Sequence, residues 1–334
     1  MSEYIIRTNE GEVFSSSSQK TILDAALSVN VIFEHSCKSG QCGVCKTTIL
    51  EGEVIEIKPQ LALNNVSDQS QFLTCCCAAG SDLLIDAMNL KALEGIQTKI
   101  SPCKINGLNL LSNDIIEVKL RMPPNVNFLF LEGQHVDIIG LNSNKRSYSI
   151  ASSSNDKELT LMIKNYKGGL FSDYWFNKAN LDDLLRIEGP KGTFFLRDKK
   201  KPLVFLATGT GIAPIISILE ELDKNSSFNQ SQKISLFWGN RETKDFFRSF
   251  NFRNLNVDYT MVLSNKIDNW QGESGYVQDV ALKKIKNIKD MHVYACGSSK
   301  MIDSAFTSFV EAGLKTNQFF SDAFVQNYTN SGSK

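Results

Sequence analysis

Four cysteines near the amino terminus constrain this chain of 334 residues more than any other feature. Cys37, Cys42 and Cys45 stand as C-x4-C-x2-C, and Cys75 follows after 29 intervening residues. Three thiolates in one short segment, with a fourth from a distant segment, are the plant-type spacing for a 2Fe-2S cluster. Two glycines between the first three cysteines free the backbone to curl around the sulfides. The pattern therefore predicts an iron-sulfur centre.

Other uses of these cysteines fit the spacing less well. A structural zinc site prefers two C-x2-C pairs, and this segment contains one. A Rieske cluster needs two histidines in place of two cysteines, and His35 is the only histidine nearby. Disulfides do not suit the cytoplasmic location predicted by an amino terminus that lacks the features of a secretory signal. Cys76 and Cys77 adjoin Cys75, and either could take its place as the fourth ligand.

The distribution of charge separates the front of the chain from the rest. Lys and Arg number 36 and so do Asp and Glu, which excludes a basic nucleic-acid binder. Residues 1–92 nevertheless hold 6 basic and 11 acidic residues, a net charge of −5, which leaves 30 and 25, or +5, for the remainder. The acidic front is either ordinary surface variation or a docking face that steers a partner.

Short alternating strands between Cys103 and about Arg197 predict a small antiparallel barrel. Within it lies Arg146-Ser147-Tyr148-Ser149, where Arg146 and Tyr148 share one strand face. An arginine can bind a pyrophosphate with two hydrogen bonds, a tyrosine can cover a flavin ring, and a serine hydroxyl can hydrogen-bond flavin N5. Taken alone, the motif is better explained by an ordinary amphipathic strand.

A glycine-rich turn supports the flavin interpretation. The segment Lys167-Gly168-Gly169-Leu170-Phe171-Ser172 precedes a predicted helix from Asp173 to Lys178. Free N–H groups at a helix start can bind phosphate oxygens. The residues predicted to bind FAD are Arg146, Tyr148, Ser149, Lys164, Gly169, Phe171 and Ser172.

The last third of the chain predicts a nucleotide-binding α/β unit. The uncharged stretch from Pro202 to Leu219 is long enough to resemble a membrane span. Gly209, Gly211 and Pro214 within it fit a buried strand, a glycine turn and a helix start better. Pro214 stands where the dinucleotide fingerprint has its last glycine, yet a close backbone approach and a helix amino terminus can still meet a phosphate.

Later strands complete this unit. Runs from Ile234 to Trp238, Val257 to Val262 and His292 to Ala295 alternate with helical stretches and predict a doubly wound sheet. Cys296-Gly297 follows the last of these strands, where such sheets bind ligands, and Cys296 is predicted to contact the nicotinamide ring; the alternative is an inert buried thiol. The residues predicted to bind NAD are Gly209, Thr210, Gly211, Pro214, Cys296 and Gly297.

In this order the motifs resemble a family of electron-transfer reductases, in which a plant-type ferredoxin is joined to a ferredoxin-NADP reductase-like module for FAD and NAD. The resemblance covers essentially the whole chain and includes reductases of aromatic-ring dioxygenases and of soluble methane and phenol monooxygenases. Such ferredoxins usually place the fourth ligand after a Leu-Thr pair, which favours Cys75 after Leu73-Thr74.

The resemblance implies a multidomain chain of α+β and α/β class. A β-grasp 2Fe-2S ferredoxin is predicted for residues 1–92 and a linker for 93–101. An antiparallel FAD-binding β-barrel is predicted for 102–198 and a doubly wound parallel-sheet NAD-binding domain for 199–334.

Within this family the chain is most similar to reductases that serve a pyridoxamine-phosphate-dependent sugar dehydrase in the 3-deoxygenation of CDP-4-keto-6-deoxyhexose. The similarity rests on Pro102-Cys103-Lys104, on the segment 185–190 and on the ending Phe319-Phe320-Ser321-Asp322-Ala323-Phe324-Val325. By that similarity Phe324 is the aromatic residue beside the flavin. Ten residues follow it, and a packed core position would also explain it.

The implied activity is that of an NADH-dependent oxidoreductase: NADH reduces FAD, FAD reduces the cluster, and the cluster reduces a partner protein. Ser149, Cys296 and Phe324 would act at hydride transfer. The partner is the sugar dehydrase or, alternatively, an oxygenase; a redox sensor without turnover would not need the NAD site. NADPH stays open, because Arg241 could meet a 2′-phosphate or pair with Asp245. No nucleic-acid or membrane partner is predicted.

Overall fold

The computed structural model describes residues 3–64, 68–140, 143–225, 232–265 and 267–324. Within these residues the chain forms two compact units, one that reaches Gly95 and one that spans Ile96–Ala323. The division falls inside the segment 93–101 that the sequence predicts as a linker. The exact domain limits at 92, 102 and 198 stay predictions.

The first unit is a mixed sheet crossed by a helix. Its strands run in the order β2-β1-β7-β3-β5, with β1 parallel to β7 and the other neighbours antiparallel. The helix buries Ile22 and Leu23, and the Thr21 hydroxyl caps its first turn by accepting the Asp24 N–H at 3.0 Å. The elements are β1 (Glu3–Thr8), β2 (Val13–Ser17), α1 (Ile22–Ser28), β3 (Lys46–Glu51), β4 (Val54–Glu56), β5 (Gln71–Leu73), β6 (Cys77–Ala79) and β7 (Leu83–Ile85).

The first part of the second unit is an antiparallel barrel with the order β11-β10-β13-β8-β9-β12. An antiparallel bridge between Ile150, directly after β11, and Leu161 joins the two ends of this sheet. Alternate residues point inward, so that Val118, Leu161 and Ile187 are fully buried. The strands are β8 (Lys99–Ser112), β9 (Ile115–Arg121), β10 (His135–Ile139), β11 (Lys145–Ser149), β12 (Glu158–Lys164) and β13 (Leu184–Lys191).

Two local predictions in the barrel need correction. Strand β8 begins at Lys99, and its Ser101 pairs with Ile187, so the last residues of the predicted linker belong to the sheet. The helix predicted from Asp173 to Lys178 begins earlier: α2 spans Leu170–Asp173, and a wider π-helical turn, Tyr174–Lys178, follows it. The extended backbone of Gly169 lets the helix start directly after it.

The second part of this unit is a parallel sheet in the order β17-β16-β15-β14-β18-β19. The chain builds outward from β14 through β15 and β16 and then returns to place β18 on the other side of β14. The elements are β14 (Leu203–Thr208), α3 (Ile212–Lys224), β15 (Ile234–Asn240), β16 (Val257–Leu263), β17 (Glu273–Ser274), α4 (Val277–Lys284), β18 (His292–Gly297), α5 (Ser299–Glu311) and β19 (Phe319–Ala323).

This order explains the long uncharged stretch of the sequence. Strand β14 lies in the centre of the sheet and is buried almost throughout, and α3 buries most of its first two turns. Among the residues that the structure describes, no helix is long and apolar enough to cross a membrane. The strand order reverses between β14 and β18, which makes the crevice at their carboxyl ends the expected ligand site of a doubly wound sheet.

Candidate functional site

The predicted cluster cysteines lie in two pairs. The Sγ atoms of Cys45 and Cys75 are 3.2 Å apart, and the thiol of Cys42 hydrogen-bonds that of Cys37. Cys37 Sγ also accepts the N–H groups of Ser39 and Cys42, each at 3.4 Å. Within the described ranges, no three His, Cys, Asp or Glu side chains come close enough to hold a single metal ion. Two thiol pairs instead suit a cluster of two irons, each with two protein sulfurs.

Each pair contains one thiol whose pKa is low. The hydrogen bond from Cys42 lowers the pKa of Cys37 to about 4, and the one from Cys45 lowers the pKa of Cys75 to about 6. The pKa values of Cys42 and Cys45 are raised, because donating these bonds and being buried both favour the protonated thiol. Thiolates are the ligands that iron requires, so the chemistry of this donor set fits a 2Fe-2S cluster.

The loop around these sulfurs depends on glycine. Gly40 has φ +75°, and a Cβ added there would lie only 2.2 Å from the Pro59 carbonyl oxygen. Of the three consecutive cysteines at 75–77, Cys75 is the one whose sulfur contacts Cys45 in the described structure. The Sγ atom of Cys76 lies 3.6 Å from that of Cys75. The choice of Cys75 as fourth ligand stays a prediction that this contact supports.

The barrel strand β11 presents the predicted flavin motif. Arg146 and Tyr148 are half-buried on one face, and Ser149 is buried at the strand end. Within the described part of the chain, neither the Arg146 guanidinium nor the Ser149 hydroxyl makes a hydrogen bond or ion pair with another residue. Both are therefore available to a ligand. The arrangement fits an FAD whose pyrophosphate binds the guanidinium.

Tyr148 is oriented by a residue that the sequence did not single out. Its hydroxyl accepts the Nε1–H of Trp175 at 3.2 Å, and the two rings meet edge to face at 6.3 Å between centroids. Burial raises the pKa of Tyr148, so the phenol stays protonated. Trp175 lies in the π-helical turn, and the only signal for it in the sequence is that the chain has 3 tryptophans and one follows the glycine-rich turn.

The other predicted flavin residues shape the turn after β12. Lys164 ends β12 and forms an ion pair with Asp114 at 3.2 Å. Ser172 Oγ accepts the Tyr166 N–H at 2.8 Å, and Gly169 precedes α2. The side chains of Lys164 and Ser172 thus have partners within the barrel, and the predicted contacts of these three residues with FAD stay predictions.

A groove of about 590 Å³ lies beside this turn. It is lined by Gly169 and its neighbours between Asn165 and Leu170, and by none of the three motif residues on β11. Phe171 points away from it, since its Cζ would lie 2.9 Å from a Cβ added at Gly140. The structure thus places Gly169 on the groove and Phe171 against the end of β10.

The predicted NAD residues meet at the crevice between β14 and β18. Residues Gly209–Gly211 form a 3-10 turn between β14 and α3. A Cβ added at Gly211 would lie 2.3 Å from the Cys296 carbonyl oxygen, and one at Gly297 would lie 2.1 Å from Thr208 Oγ1. The two strand ends therefore pack in direct contact through glycines. Gly209 has φ +54° and no atom within 4 Å of an added Cβ, which leaves room for a ligand's phosphate.

Three further residues complete this site. Thr210 is buried in the turn, and Pro214 is buried in the first turn of α3. Trp238, which sequence reasoning treated only as the end of a strand, donates its Nε1–H to the Gly209 carbonyl at 2.9 Å. This bond fixes the orientation of the glycine turn. Nothing local in the sequence links Trp238 to Gly209, because the contact depends on β15 lying beside β14.

Cys296 lies inside the sheet. It is fully buried, pairs in register with Ala207 and Asp322, and its pKa is raised by burial. The thiol is therefore a neutral, compact group at the carboxyl end of β18. Its predicted contact with the nicotinamide ring stays a prediction.

We expect Cys296→Ala to slow hydride transfer from NADH to FAD by about tenfold, which corresponds to roughly 1.4 kcal/mol in the barrier. The flavin content of the protein should not change, because Cys296 lies in the parallel sheet and not on the barrel. Stopped-flow measurement of flavin bleaching by NADH checks this. A wild-type bleaching rate in the variant would show that the contact is absent.

Two remaining predictions concern the aromatic residue and the coenzyme. Phe324 is half-buried and directly follows β19, whose last residue Ala323 pairs with Gly297. The tail from 325 to 334 lies outside the described residues. Arg241 is exposed and forms no ion pair with Asp245 in the part of the chain that the structure describes. The flavin contact of Phe324 and the preference for NADH stay predictions.

Three family models match the chain in the predicted order. They are a 2Fe-2S iron-sulfur cluster binding domain over residues 6–80, an oxidoreductase FAD-binding domain over 102–196 and an oxidoreductase NAD-binding domain over 205–306. The CDP-6-deoxy-L-threo-D-glycero-4-hexulose-3-dehydrase reductase of Yersinia pestis is 38% identical over 320 residues, which cover 94% of this chain and 96% of the relative. The chain belongs to the iron-sulfur flavoprotein reductases. Its predicted family, oxidoreductase class, cofactors and fold class are confirmed.

Other members of the family serve other partners. The reductase component 2 of terephthalate 1,2-dioxygenase from Comamonas is 28% identical over 92% of both chains. The solved structure of the ferredoxin reductase in carbazole 1,9a-dioxygenase has a TM-score of 0.66 at 25% identity and covers 97% of this chain and 99% of its own. Both are named as reductases of dioxygenases, and this chain spans 92% and 99% of their respective lengths.

Proposed function

We propose that this reductase passes electrons from NADH through FAD and a 2Fe-2S cluster to a pyridoxamine-phosphate-dependent sugar dehydrase. The reaction served is the 3-deoxygenation of CDP-4-keto-6-deoxyhexose in the cytoplasm. The observation that supports this partner is the 38% identity, over 94% of the chain, to a reductase named for such a dehydrase, against 28% to the terephthalate dioxygenase component.

When bound, FAD supplies the step between the two-electron donor NADH and the one-electron cluster. In our proposal the Arg146 guanidinium binds the FAD pyrophosphate, because it is half-buried and has no partner among the described residues. Tyr148, oriented by the Trp175 N–H, covers the ring system. The Ser149 hydroxyl, buried at the strand end and without a partner among the described residues, would donate a hydrogen bond to flavin N5.

The crevice between β14 and β18 holds the dinucleotide in this proposal. The backbone of Gly209–Gly211 approaches the pyrophosphate of NADH closely, and the amino terminus of α3 favours its negative charge. Cys296 and Gly297 lie against the Gly211 backbone and orient the nicotinamide. Gly211, Cys296 and Gly297 are buried where the two strand ends meet, whereas Gly209 is half-buried and leaves room for the phosphate.

In this proposal the first unit, which holds the cluster, delivers the electrons. The four thiolates hold the cluster in a unit whose residues 1–92 carry a net charge of −5, with 6 basic and 11 acidic residues. Such a unit associates fastest with a partner that presents a basic face, and high salt should slow this association. An oxygenase is the second candidate partner, supported by the match to the terephthalate dioxygenase component over 92% of the chain.

The test of the proposed partner is anaerobic. The purified reductase, NADH, a CDP-4-keto-6-deoxyhexose and the pyridoxamine-phosphate-dependent dehydrase are mixed, and 3-deoxy product is followed. We expect product that requires the reductase and is absent when Cys42→Ser replaces it. A mixture in which NADH bleaches flavin and cluster, yet no product forms, would refute the dehydrase as partner and favour an oxygenase.

A further inference from the structure

Helix α3 connects the predicted nicotinamide site to the predicted flavin strand. It begins directly after the glycine turn Gly209–Gly211, so its first residues are part of the crevice between β14 and β18. Three of its polar residues, Ser217, Glu221 and Lys224, are spaced four and three residues apart and therefore share one face. That face contacts the barrel.

The contacts fall on one short segment of the barrel. Ser217 is fully buried, and its hydroxyl donates to the Ser152 carbonyl oxygen at 2.6 Å. Glu221 Oε2 accepts the Ser153 hydroxyl at 2.6 Å and the Asn155 side-chain amide at 3.0 Å. One face of α3 thus makes three side-chain hydrogen bonds to residues that follow the flavin strand β11.

An ion pair extends this face toward solvent. Lys224 Nζ lies 2.7 Å from Asp156 Oδ1, and Asp156 Oδ2 accepts the Ser153 N–H at 3.0 Å. Both charged side chains are more than a third exposed, so the pair contributes little by itself. The hydrogen bonds of the buried Ser217 and Ser153 hydroxyls therefore fix the position of α3 on the barrel.

The barrel segment that receives α3 is itself held firmly. Ser152 Oγ accepts the Thr160 N–H at 3.1 Å, and Ala151 donates its N–H to the Thr160 carbonyl at 2.8 Å. Ile150 forms the bridge to Leu161 that joins the ends of the barrel sheet. Ser152 lies three residues after Ser149, so a displacement of α3 relative to this segment changes the distance between the nicotinamide and flavin sites.

We infer that Ser217 and Glu221 are positioning residues for hydride transfer: through α3 they set the distance between nicotinamide C4 and flavin N5. Hydride transfer needs these atoms about 3 to 3.5 Å apart, and a misplacement of about 1 Å can slow a reaction roughly 100-fold. The contacts touch neither cofactor site directly. Their effect should therefore appear in the rate of hydride transfer and not in the affinity for either cofactor.

A second contact, independent of α3, also joins the barrel to the parallel sheet. It should keep the two parts together when a hydrogen bond of α3 is removed. The Arg197 backbone N–H donates to the Tyr294 hydroxyl at 2.9 Å, and Phe194 packs edge to face on the same ring. Tyr294 lies in β18, on the other side of β14 from β15. Loss of one hydroxyl on α3 should therefore shift the two cofactor sites relative to each other and leave the unit folded.

The experiment uses the full-length reductase loaded with FAD and cluster. Flavin bleaching by NADH and by NADH deuterated at the transferred position is followed by stopped flow over a range of concentrations. For Ser217→Ala we expect the saturating bleaching rate to fall about tenfold with a full primary isotope effect, while the half-saturating NADH concentration changes less than roughly twofold. The FAD content should equal that of the wild type.

Glu221 supplies a matched pair of variants. Glu221→Ala removes the acceptor of both hydrogen bonds and should slow bleaching, whereas Glu221→Gln keeps an acceptor oxygen and should restore most of the rate. Ser304→Ala is the control, because it removes a hydrogen bond of 3.0 Å from Gln278 between α4 and α5 and leaves α3 untouched. We expect this control to bleach at the wild-type rate.

Three outcomes would overturn the inference. In the first, Ser217→Ala and Glu221→Ala both bleach at the wild-type rate. In the second, the bleaching rate falls only when the FAD content or the NADH affinity also falls, which would show that the contacts maintain the cofactor sites and do not set the distance between them. In the third, Glu221→Gln is as slow as Glu221→Ala. If Ser217→Ala does not fold, the comparison of the two Glu221 variants decides.

Discussion

Cys42→Ser is expected to abolish the iron-sulfur cluster and leave the flavin reaction intact. A serine hydroxyl is a far poorer ligand for cluster iron than a thiolate, and Cys42 is paired with Cys37 in the loop that supplies three of the predicted ligands. Electron delivery to the partner protein should fall by at least about 100-fold, since single electrons then lack their carrier. NADH-driven reduction of a two-electron dye should continue at the wild-type rate.

The measurements for this variant are iron content, visible absorption and paramagnetic resonance of the reduced protein, with the two activities assayed in parallel. Cys77→Ala is the matched control: Cys77 is fully buried in β6, two residues after the predicted ligand Cys75, and forms no pair with the cluster thiols in the described structure. It should keep the cluster. Loss of dye reduction in Cys42→Ser would contradict independent cluster and flavin units.

Gly211→Ala should remove most NADH-driven flavin reduction. The added Cβ would lie 2.3 Å from the Cys296 carbonyl oxygen and 2.9 Å from Gly297 Cα, distances at which backbone has to move. Because both atoms belong to the end of β18, the crevice between β14 and β18 would be forced apart at the predicted nicotinamide site. A displacement of about 1 Å is enough to slow hydride transfer roughly 100-fold.

Anaerobic bleaching by NADH measures this effect, and photochemical reduction of the flavin shows that the later electron transfer is unchanged. Gly107→Ala serves as the control, because the atom nearest to its added Cβ is Lys119 Cβ at 3.3 Å, a full 1 Å farther than the Cys296 oxygen lies from a Cβ at Gly211. FAD and cluster should be present in both variants. A Gly211→Ala protein that NADH bleaches as fast as the wild type would show that the dinucleotide does not bind at this crevice.

Much of the fold could be predicted because its signals are local. The runs predicted as strands from Ile234 to Trp238, Val257 to Val262 and His292 to Ala295 lie within β15, β16 and β18. The helix after the glycine-rich turn was predicted three residues late. A local pattern does not show that the extended backbone of Gly169 lets the helix start at Leu170, or that a π-helical turn carries Trp175 inward.

The residues of the candidate site likewise differ in how far a local sequence pattern indicates their role. The cysteine spacing and the glycine turn of β14 are properties of short segments, so the sequence alone indicated the cluster residues and the crevice residues. Lys164 and Ser172 have partners in the folded chain, Asp114 and the Tyr166 N–H, that no local pattern in the sequence indicates. Their predicted contacts with FAD stay predictions.

By itself, the sequence determined the order of the ferredoxin, flavin and dinucleotide parts and the family to which the chain belongs, because each rests on motifs with a characteristic spacing. Only the tertiary structure decided which distant residues meet: Cys45 with Cys75, Trp238 with Gly209, and Ser217 with Ser152. These contacts follow from strand order and register across the sheets. Strand order is a property of the whole chain, since it depends on how every connection returns to the sheet, and no local pattern carries it.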